Sequence, residues 1–395
     1  MPPEAARRFD PVTASPTSLC LPAIHWQQDG LDHSALWRSE AGVPPPQKIV
    51  LADDTLSADN AYRLACEGHA LLWQGDFHNA RQLLQALGRR LERKPRKATA
   101  RQAAQTLTEA FHQHRQKQAQ RAAILNKLLI PLDADYRIPL RRAPEVAAAC
   151  SEAYGAAQGS SVVALRELLG LVGAHEWRSK GVFIPALNDR IHPHYGVFSP
   201  VRGEYVDLVA QAPLPTSALA FDIGTGSGVL AAVLARRGVA AVVATDQNPR
   251  AQACARDNIA RLGLQQQVSI VQADLFPPGR APLIVCNPPW LPGRPSAPIE
   301  HAVYDPDNRM LLGFLNGLHA HLSPEGEGWL ILSDFAELLG LRSAEFLPAA
   351  IAAAGLRVIG RLETAPHHPK ATDPDDPLHA ARKAERTFLW RLAAA

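Results

Sequence analysis

Phe221-Asp222-Ile223-Gly224-Thr225-Gly226-Ser227-Gly228 (FDIGTGSG) joins an apolar, β-rich run to the helical stretch 229–236. A strand that ends in closely spaced glycines and re-enters as helix marks a nucleotide-type site at the carboxyl end of a parallel strand. The glycines permit a tight turn and let the backbone approach a ligand. Alone, such a turn admits several cofactors, NAD among them. The GxGxxG fingerprint of NAD enzymes is not met, because Val229 follows Gly228 and an acid, Asp222, precedes the first glycine. A pyrophosphate gains little from a carboxylate there, whereas a cofactor with a cationic amino-acid head gains an ion pair.

Short apolar runs flank this turn at 218–223, 241–245, 268–271, 283–286, 329–333, 357–361 and 387–391. The first five alternate with helical stretches, which predicts a doubly wound, Rossmann-like α/β fold with both faces of the sheet covered. The last two lie closer together, with a loop at 366–377 between them, and predict a hairpin at the sheet edge. The expected architecture is a seven-stranded, mostly parallel sheet.

Two further acids close successive strands: Asp246 ends VVATD and Asp274 follows the third strand in VQADLF. S-adenosylmethionine presents a methionine ammonium, a ribose diol and an adenine, which Asp222, Asp246 and Asp274 suit in turn. The fourth strand runs into Asn287-Pro288-Pro289-Trp290, 63 residues after Gly224. An exocyclic or amide NH2 is a poor nucleophile because its lone pair is delocalised. If the Asn287 side-chain oxygen and the Pro288 carbonyl each accept one N–H, the lone pair is aimed at the methyl donor and the developing positive charge is stabilised. Pro288 and Pro289 stiffen the turn. Trp290 offers a flat face for a planar acceptor.

These motifs together resemble the class I methyltransferases of the small-domain, amino-methylating group, which includes ribosomal RNA guanine-N2, adenine-N6 and protein-glutamine enzymes. The resemblance covers about residues 190–392. It implies cofactor contacts from Phe198, Asp222, Gly224, Thr225, Gly226, Gly228, Asp246, Asp274 and Asn287, with Asn287–Trp290 as the catalytic turn. Residues 196–199 resemble the stretch before the glycine loop of the ribosomal RNA guanine enzymes, which folds over the cofactor. Phe198 and Arg202 are the contacts this implies. Trp290 departs from the commoner Tyr or Phe, and residues 200–202 depart from the PRPxTE-like pattern of glutamine methyltransferases.

The chain has 395 residues, long for one core, and a domain boundary is placed near residue 180. Residues 1–180 are expected to form a mainly helical α+β accessory domain, and 181–395 the catalytic domain. A strand is expected at 48–51, helices from residue 57 and over 101–129, and another helix over 162–172. Residues 190–200 are expected to form a structured loop. Charge is uneven: residues 81–142 hold 15 Lys or Arg against four Asp or Glu, although the whole chain carries only +3. Such a segment attracts polyphosphate. Arg89, Arg90, Arg93, Lys94, Arg96 and Lys97 are its candidate RNA contacts, and phosphates rather than bases are the expected target because aromatics are sparse there. Tyr304, Asp305 and Arg309 stand where a substrate-side lid would lie, with Tyr304 and Arg202 as candidate substrate contacts.

The N-terminus lacks the apolar run of a secretory signal, and no stretch approaches the roughly 18 apolar residues of a membrane span. Five scattered cysteines, with no CxxC pair, read as thiols in a reducing compartment. His192–His194 and His367–His368 have no ligand partners at metal spacing. No metal and a cytoplasmic location are expected. The leading expectation is an S-adenosylmethionine-dependent N-methyltransferase acting on a planar NH2 of an RNA base. A protein glutamine is the alternative acceptor, and an RNA-binding protein with an inactive methyltransferase domain is the reading from another class.

Overall fold

The computed structural model describes residues 21–92, 106–295, 298–367, 373–374 and 376–395. Strands β1 (Ala23–Gln28) and β2 (Leu31–Arg38) form a hairpin around Asp29-Gly30, both at positive φ (52° and 76°), the backbone that a two-residue turn between twisted strands requires. Then follow β3 (Ile49–Ala52), α1 (Ala58–Cys66), β4 (Ala70–Trp73), α2 (Phe77–Glu92), α3 (Leu107–Leu125), β5 (Leu128–Leu132), α4 (Ala147–Tyr154), β6 (Ser161–Ala164) and α5 (Leu165–Lys180). Ser57 caps α1, and a reciprocal Thr106–Glu109 capping box starts α3.

The N-terminal half therefore has the expected helices and also a six-stranded mixed sheet in the order β1-β2-β6-β5-β4-β3. Leu71 and Leu72, placed on a helix by their spacing, belong to β4, where every residue is buried. The stretch 162–172, expected as one helix, divides into β6 and the start of α5. A short buried run carries no periodicity that separates strand from helix.

The C-terminal half opens with a small hairpin, β7 (Val182–Ile184) with β8 (Asp189–Ile191), and α6 (Glu204–Gln211). The second sheet follows: β9 (Leu219–Ile223), α7 (Val229–Arg236), β10 (Ala241–Asp246), α8 (Pro249–Arg261), β11 (Val268–Gln272), β12 (Ala281–Cys286), α9 (Arg309–His321), β13 (Leu322–Ser333), α10 (Phe335–Leu338), α11 (Phe346–Ala353), β14 (Leu356–Thr364), α12 (His379–Ala384) and β15 (Thr387–Ala394). Its order is β11-β10-β9-β12-β13-β15-β14. The first five strands are parallel neighbours, and β15 runs antiparallel to both β13 and β14. The expected terminal hairpin is present, with its return strand inserted between β13 and β14.

Both faces of this sheet are covered. Val285 and Trp329 pack toward α6 and α7, while Ile284 and Leu330 pack toward α9 and α11. Strand order reverses between β9 and β12, the switch point at which ligands bind in open α/β sheets. Ile223 and Cys286 are paired there, so Gly224 and Asn287 leave the sheet side by side.

The two halves are joined by specific contacts. Arg250 of α8 donates to Glu40 (2.8 Å) and to the Ala153 carbonyl (2.9 Å). Phe111 of α3 is buried with Leu291, Phe335, Leu339 and Leu378 of the C-terminal half, and the Thr108 hydroxyl donates to the Leu339 carbonyl at 2.6 Å.

Candidate active site

A cavity of about 900 Å³ opens at the switch point. The glycine loop forms its floor. Gly224, Gly226 and Gly228 all take positive φ (70°, 56° and 82°). A Cβ on Gly224 would run into the Met310 methyl, and one on Gly228 would stand 3.2 Å from the Ala255 Cα, whereas one on Gly226 would meet nothing within 4 Å. Gly226 thus borders open cavity space, while Gly228, which does not line the cavity, lets α7 pack closely on α8.

The three acids are placed differently from one another. Asp246 lines the cavity; its carboxylate accepts the Gly226 N–H (3.1 Å) and the Asn248 N–H (2.9 Å). Burial raises its pKa, with the backbone N–H donors opposing. Asp274 also lines the cavity but is ion-paired with Arg309 at 2.7 Å, so the adenine contact expected of it would be shared with a guanidinium. Asp222 is 1% exposed and lies outside the cavity lining. Its Oδ2 accepts both the Thr225 hydroxyl (2.6 Å) and the Ala231 N–H (3.1 Å), tying the loop to the first turn of α7. Burial pushes its pKa up to about 6. Through Oδ2 the carboxylate braces the loop from beneath.

Asn287, Pro288, Pro289 and Trp290 all line the cavity. The Trp290 indole N–H donates to Asn287 Oδ1 at 2.9 Å. An amide oxygen has two lone pairs, so one remains for an acceptor N–H, and the indole sets which way the amide faces. Two buried contacts hold the turn from behind. Arg342 donates to the Trp290 carbonyl (3.2 Å) and to Asn308 Oδ1 (2.7 Å), and burial lowers its pKa against the opposing Glu337 carboxylate. Asp305 accepts the N–H groups of Met310 and Leu311 at 3.0 Å, anchoring the start of α9.

Phe198, Thr225, Arg202 and Tyr304 line the same cavity. Phe198 packs on Tyr205 with ring centroids 6.5 Å apart, and Arg202 lies 3.7 Å from the buried Glu385. Arg89 and Arg90 do not line it: Arg89 is exposed on α2 and Arg90 pairs with Asp59. Arg93, Lys94, Arg96 and Lys97 lie outside the described residues. Among the described residues no cluster of His, Cys, Asp and Glu could hold a metal, and no helix is long and apolar enough to cross a membrane. His192 and His194 serve packing, hydrogen-bonding to the Arg178 carbonyl and to Asp257.

Sequence reasoning missed Arg342, Met310, Arg382 and the α3 face of Phe111, His114 and Arg115, all placed at the site by the fold. Only the spacing of residues 111, 114 and 115 along one helix face could have hinted at the last group.

The family model of the methyltransferase small domain matches residues 189–338. The matched segment runs from the start of β8 to the end of α10 and takes in both the glycine loop and the Asn287–Trp290 turn. The chain is 35% identical over 130 residues to a release factor glutamine methyltransferase of Cereibacter sphaeroides, spanning 32% of this chain and 43% of that protein. It is 46% identical over 69 residues to a ribosomal protein L11 methyltransferase of Pelotomaculum thermopropionicum, spanning 17% and 22%. It is 29% identical over 146 residues to a tRNA1(Val) (adenine(37)-N6)-methyltransferase of Shewanella loihica, spanning 34% and 60%. The chain thus covers less than two thirds of the length of each of these relatives.

Proposed function

We propose that this protein transfers a methyl group from S-adenosylmethionine to the exocyclic NH2 of an RNA base. The observation that carries the reading is the Ile223–Cys286 pairing, which sets the glycine loop and the Asn287–Trp290 turn side by side on one cavity. The residues present suit the cofactor: Gly226 leaves open space over the loop, and Asp246 offers a partly buried carboxylate to a ribose diol. Phe198 and Asp274 would border the adenine.

When bound, S-adenosylmethionine supplies a methyl on a sulfonium sulfur that departs as a neutral thioether, so the acceptor nitrogen needs no strong base and sheds its proton after transfer. Asn287 Oδ1 accepts one acceptor N–H, and the Pro288 carbonyl accepts the other. The Trp290 N–H keeps the Asn287 oxygen facing the cavity. These acceptors are preorganised, so they stabilise the positive charge developing on nitrogen without reorganising.

The basic segment 81–142 supports RNA as the acceptor, and α3, which lies within it, lines the cavity. A protein glutamine amide would present the same planar NH2 to Asn287, and the likeness to release factor glutamine methyltransferases supports that second reading. We keep the division at residue 180 as part of the proposal, with residues 1–180 docking substrate and 181–395 carrying the chemistry. A cytoplasmic location belongs to it as well, supported by four free thiols among the described residues, three of them buried.

The test uses radiolabelled S-adenosylmethionine with RNA and protein fractions from cells lacking the gene. Label should enter RNA and be lost to nuclease but not protease. Asn287→Ala should lower turnover by at least roughly a hundredfold while cofactor affinity stays within a few-fold. Unchanged turnover would defeat the mechanism, and label released only by protease would move the acceptor to protein.

A further inference from the structure

We infer that Arg115 of α3, stacked on Tyr304, forms a phosphate subsite for the nucleotide whose base enters the Asn287–Trp290 turn. The inference rests on the RNA reading above.

Among the described residues four arginines line the cavity: Arg115, Arg202, Arg309 and Arg382. Three of them face carboxylates, with Glu385 3.7 Å from Arg202, Asp274 2.7 Å from Arg309 and Asp376 2.9 Å from Arg382. Arg115 is held differently. Its guanidinium lies over the Tyr304 ring, 4.2 Å from the centroid, and Nη2 donates to the Arg294 carbonyl at 2.8 Å. The Glu300 carboxylate stands 4.0 Å away, at the outer limit of an ion pair. Covering the flat face and engaging one N–H leaves the remaining edge donors in a fixed plane. That is how a guanidinium receives a phosphate with two parallel hydrogen bonds.

The position relative to the reacting group is fixed by backbone. Leu291 follows Trp290 and pairs with Tyr304: the Leu291 N–H donates to the Val303 carbonyl at 3.1 Å, and the Asp305 N–H donates to the Leu291 carbonyl at 2.8 Å. Tyr304, and Arg115 on it, are therefore tied to the turn that holds the acceptor nitrogen. A nucleotide carries its phosphate beside its base, so a base presented at Trp290 brings a phosphate to this wall. Such a contact positions the strand without reading sequence. It also explains why α3 crosses to the C-terminal half, with Phe111 and Thr108 docking the same face one and two turns earlier.

The experiment compares the full-length protein with Arg115→Ala, Arg115→Lys and Gly293→Ala, using labelled S-adenosylmethionine and total RNA from cells lacking the gene. A Cβ on Gly293 would stand 3.1 Å from Tyr304 Cδ1 and 3.2 Å from Arg115 Nη1, so that substitution crowds the stacked pair and shifts it slightly without changing charge. Arg115→Ala should raise the KM for RNA roughly tenfold with kcat within a few-fold. It should also lower the slope of log affinity against log salt by about one. Arg115→Lys should keep the salt slope but not the KM, and Gly293→Ala should raise the KM. Affinity for S-adenosylmethionine, unchanged within about twofold, reports that each variant is folded. RNA methylation by Arg115→Ala with the parent KM and salt slope would overturn the subsite alone. A parent protein that labels protein and not RNA would overturn the acceptor reading and the subsite with it.

Discussion

Asp222 has a bracing role inside the protein that its place in the sequence does not announce. Its place before the glycines suggested an ion pair with a cofactor ammonium, yet both of its hydrogen bonds go to the protein, through Oδ2. Asparagine can keep both bonds with its amide oxygen, so Asp222→Asn isolates the charge. Burial raises the native pKa from 3.8 to about 6, so between these values the folded state holds a proton that the unfolded state releases. The associated stabilisation is complete below pH 3.8 and is lost as pH rises through about 6, a difference of about 3 kcal/mol. Asp222→Asn should remove this fall from the urea stability profile between pH 4 and 6 and leave cofactor affinity within a few-fold. A parent profile with no such fall, or a large loss of cofactor affinity, would restore the ionic role. The Asn287–Trp290 turn was legible because its four residues are contiguous and end a recognisable strand. Arg342 was not: it reaches the Trp290 carbonyl from 52 residues away, and nothing around it in the chain signals that contact.

At the level of elements, the glycine loop separates two demands. Gly226 borders the cavity, while Gly228 abuts Ala255 of α8. Gly226→Ala should weaken S-adenosylmethionine binding more than it weakens the fold. Gly228→Ala should do the reverse, adding a contact at 3.2 Å to a left-handed backbone that costs a non-glycine residue about 1–2 kcal/mol. Calorimetry with the cofactor beside urea unfolding measures both, and equal effects in the two variants would remove the distinction. The C-terminal strands were legible to within a few residues except β13, which begins seven residues before the expected 329, because each contains a short apolar-rich run bounded by turns. The same signal misled in the N-terminal half. Leu71, Leu72, Val162 and Val163 lie among helices whose leucines continue the 3.6-residue spacing, and only sheet pairing with β3, β5 and β2 distinguishes them.

For the molecule as a whole, α3 is the element that makes one site of two halves. Its apolar face is weak, with Phe111 and Leu125 its only buried residues among those described. Phe111 nevertheless fills a cluster of the C-terminal half that includes Leu291. Phe111→Ala should lower stability by about 3–5 kcal/mol, read from the urea midpoint. It should also raise the KM for the acceptor more than the affinity for S-adenosylmethionine falls. An unchanged midpoint would mean that α3 docks without contributing to the fold. Sequence by itself determined the sheet of the C-terminal half, the glycine loop and the Asn287–Trp290 turn. These depend on local order: apolar runs, glycines at turns, and residues adjacent in the chain. Tertiary structure alone decided that Asp222 lies under the loop, that Trp290 orients Asn287, and that Arg115 reaches the cavity from the other half. Only the Arg115 contact joins residues far apart in the chain, since the other two span three to nine residues, but all of them depend on burial and geometry that exist only once both sheets have packed.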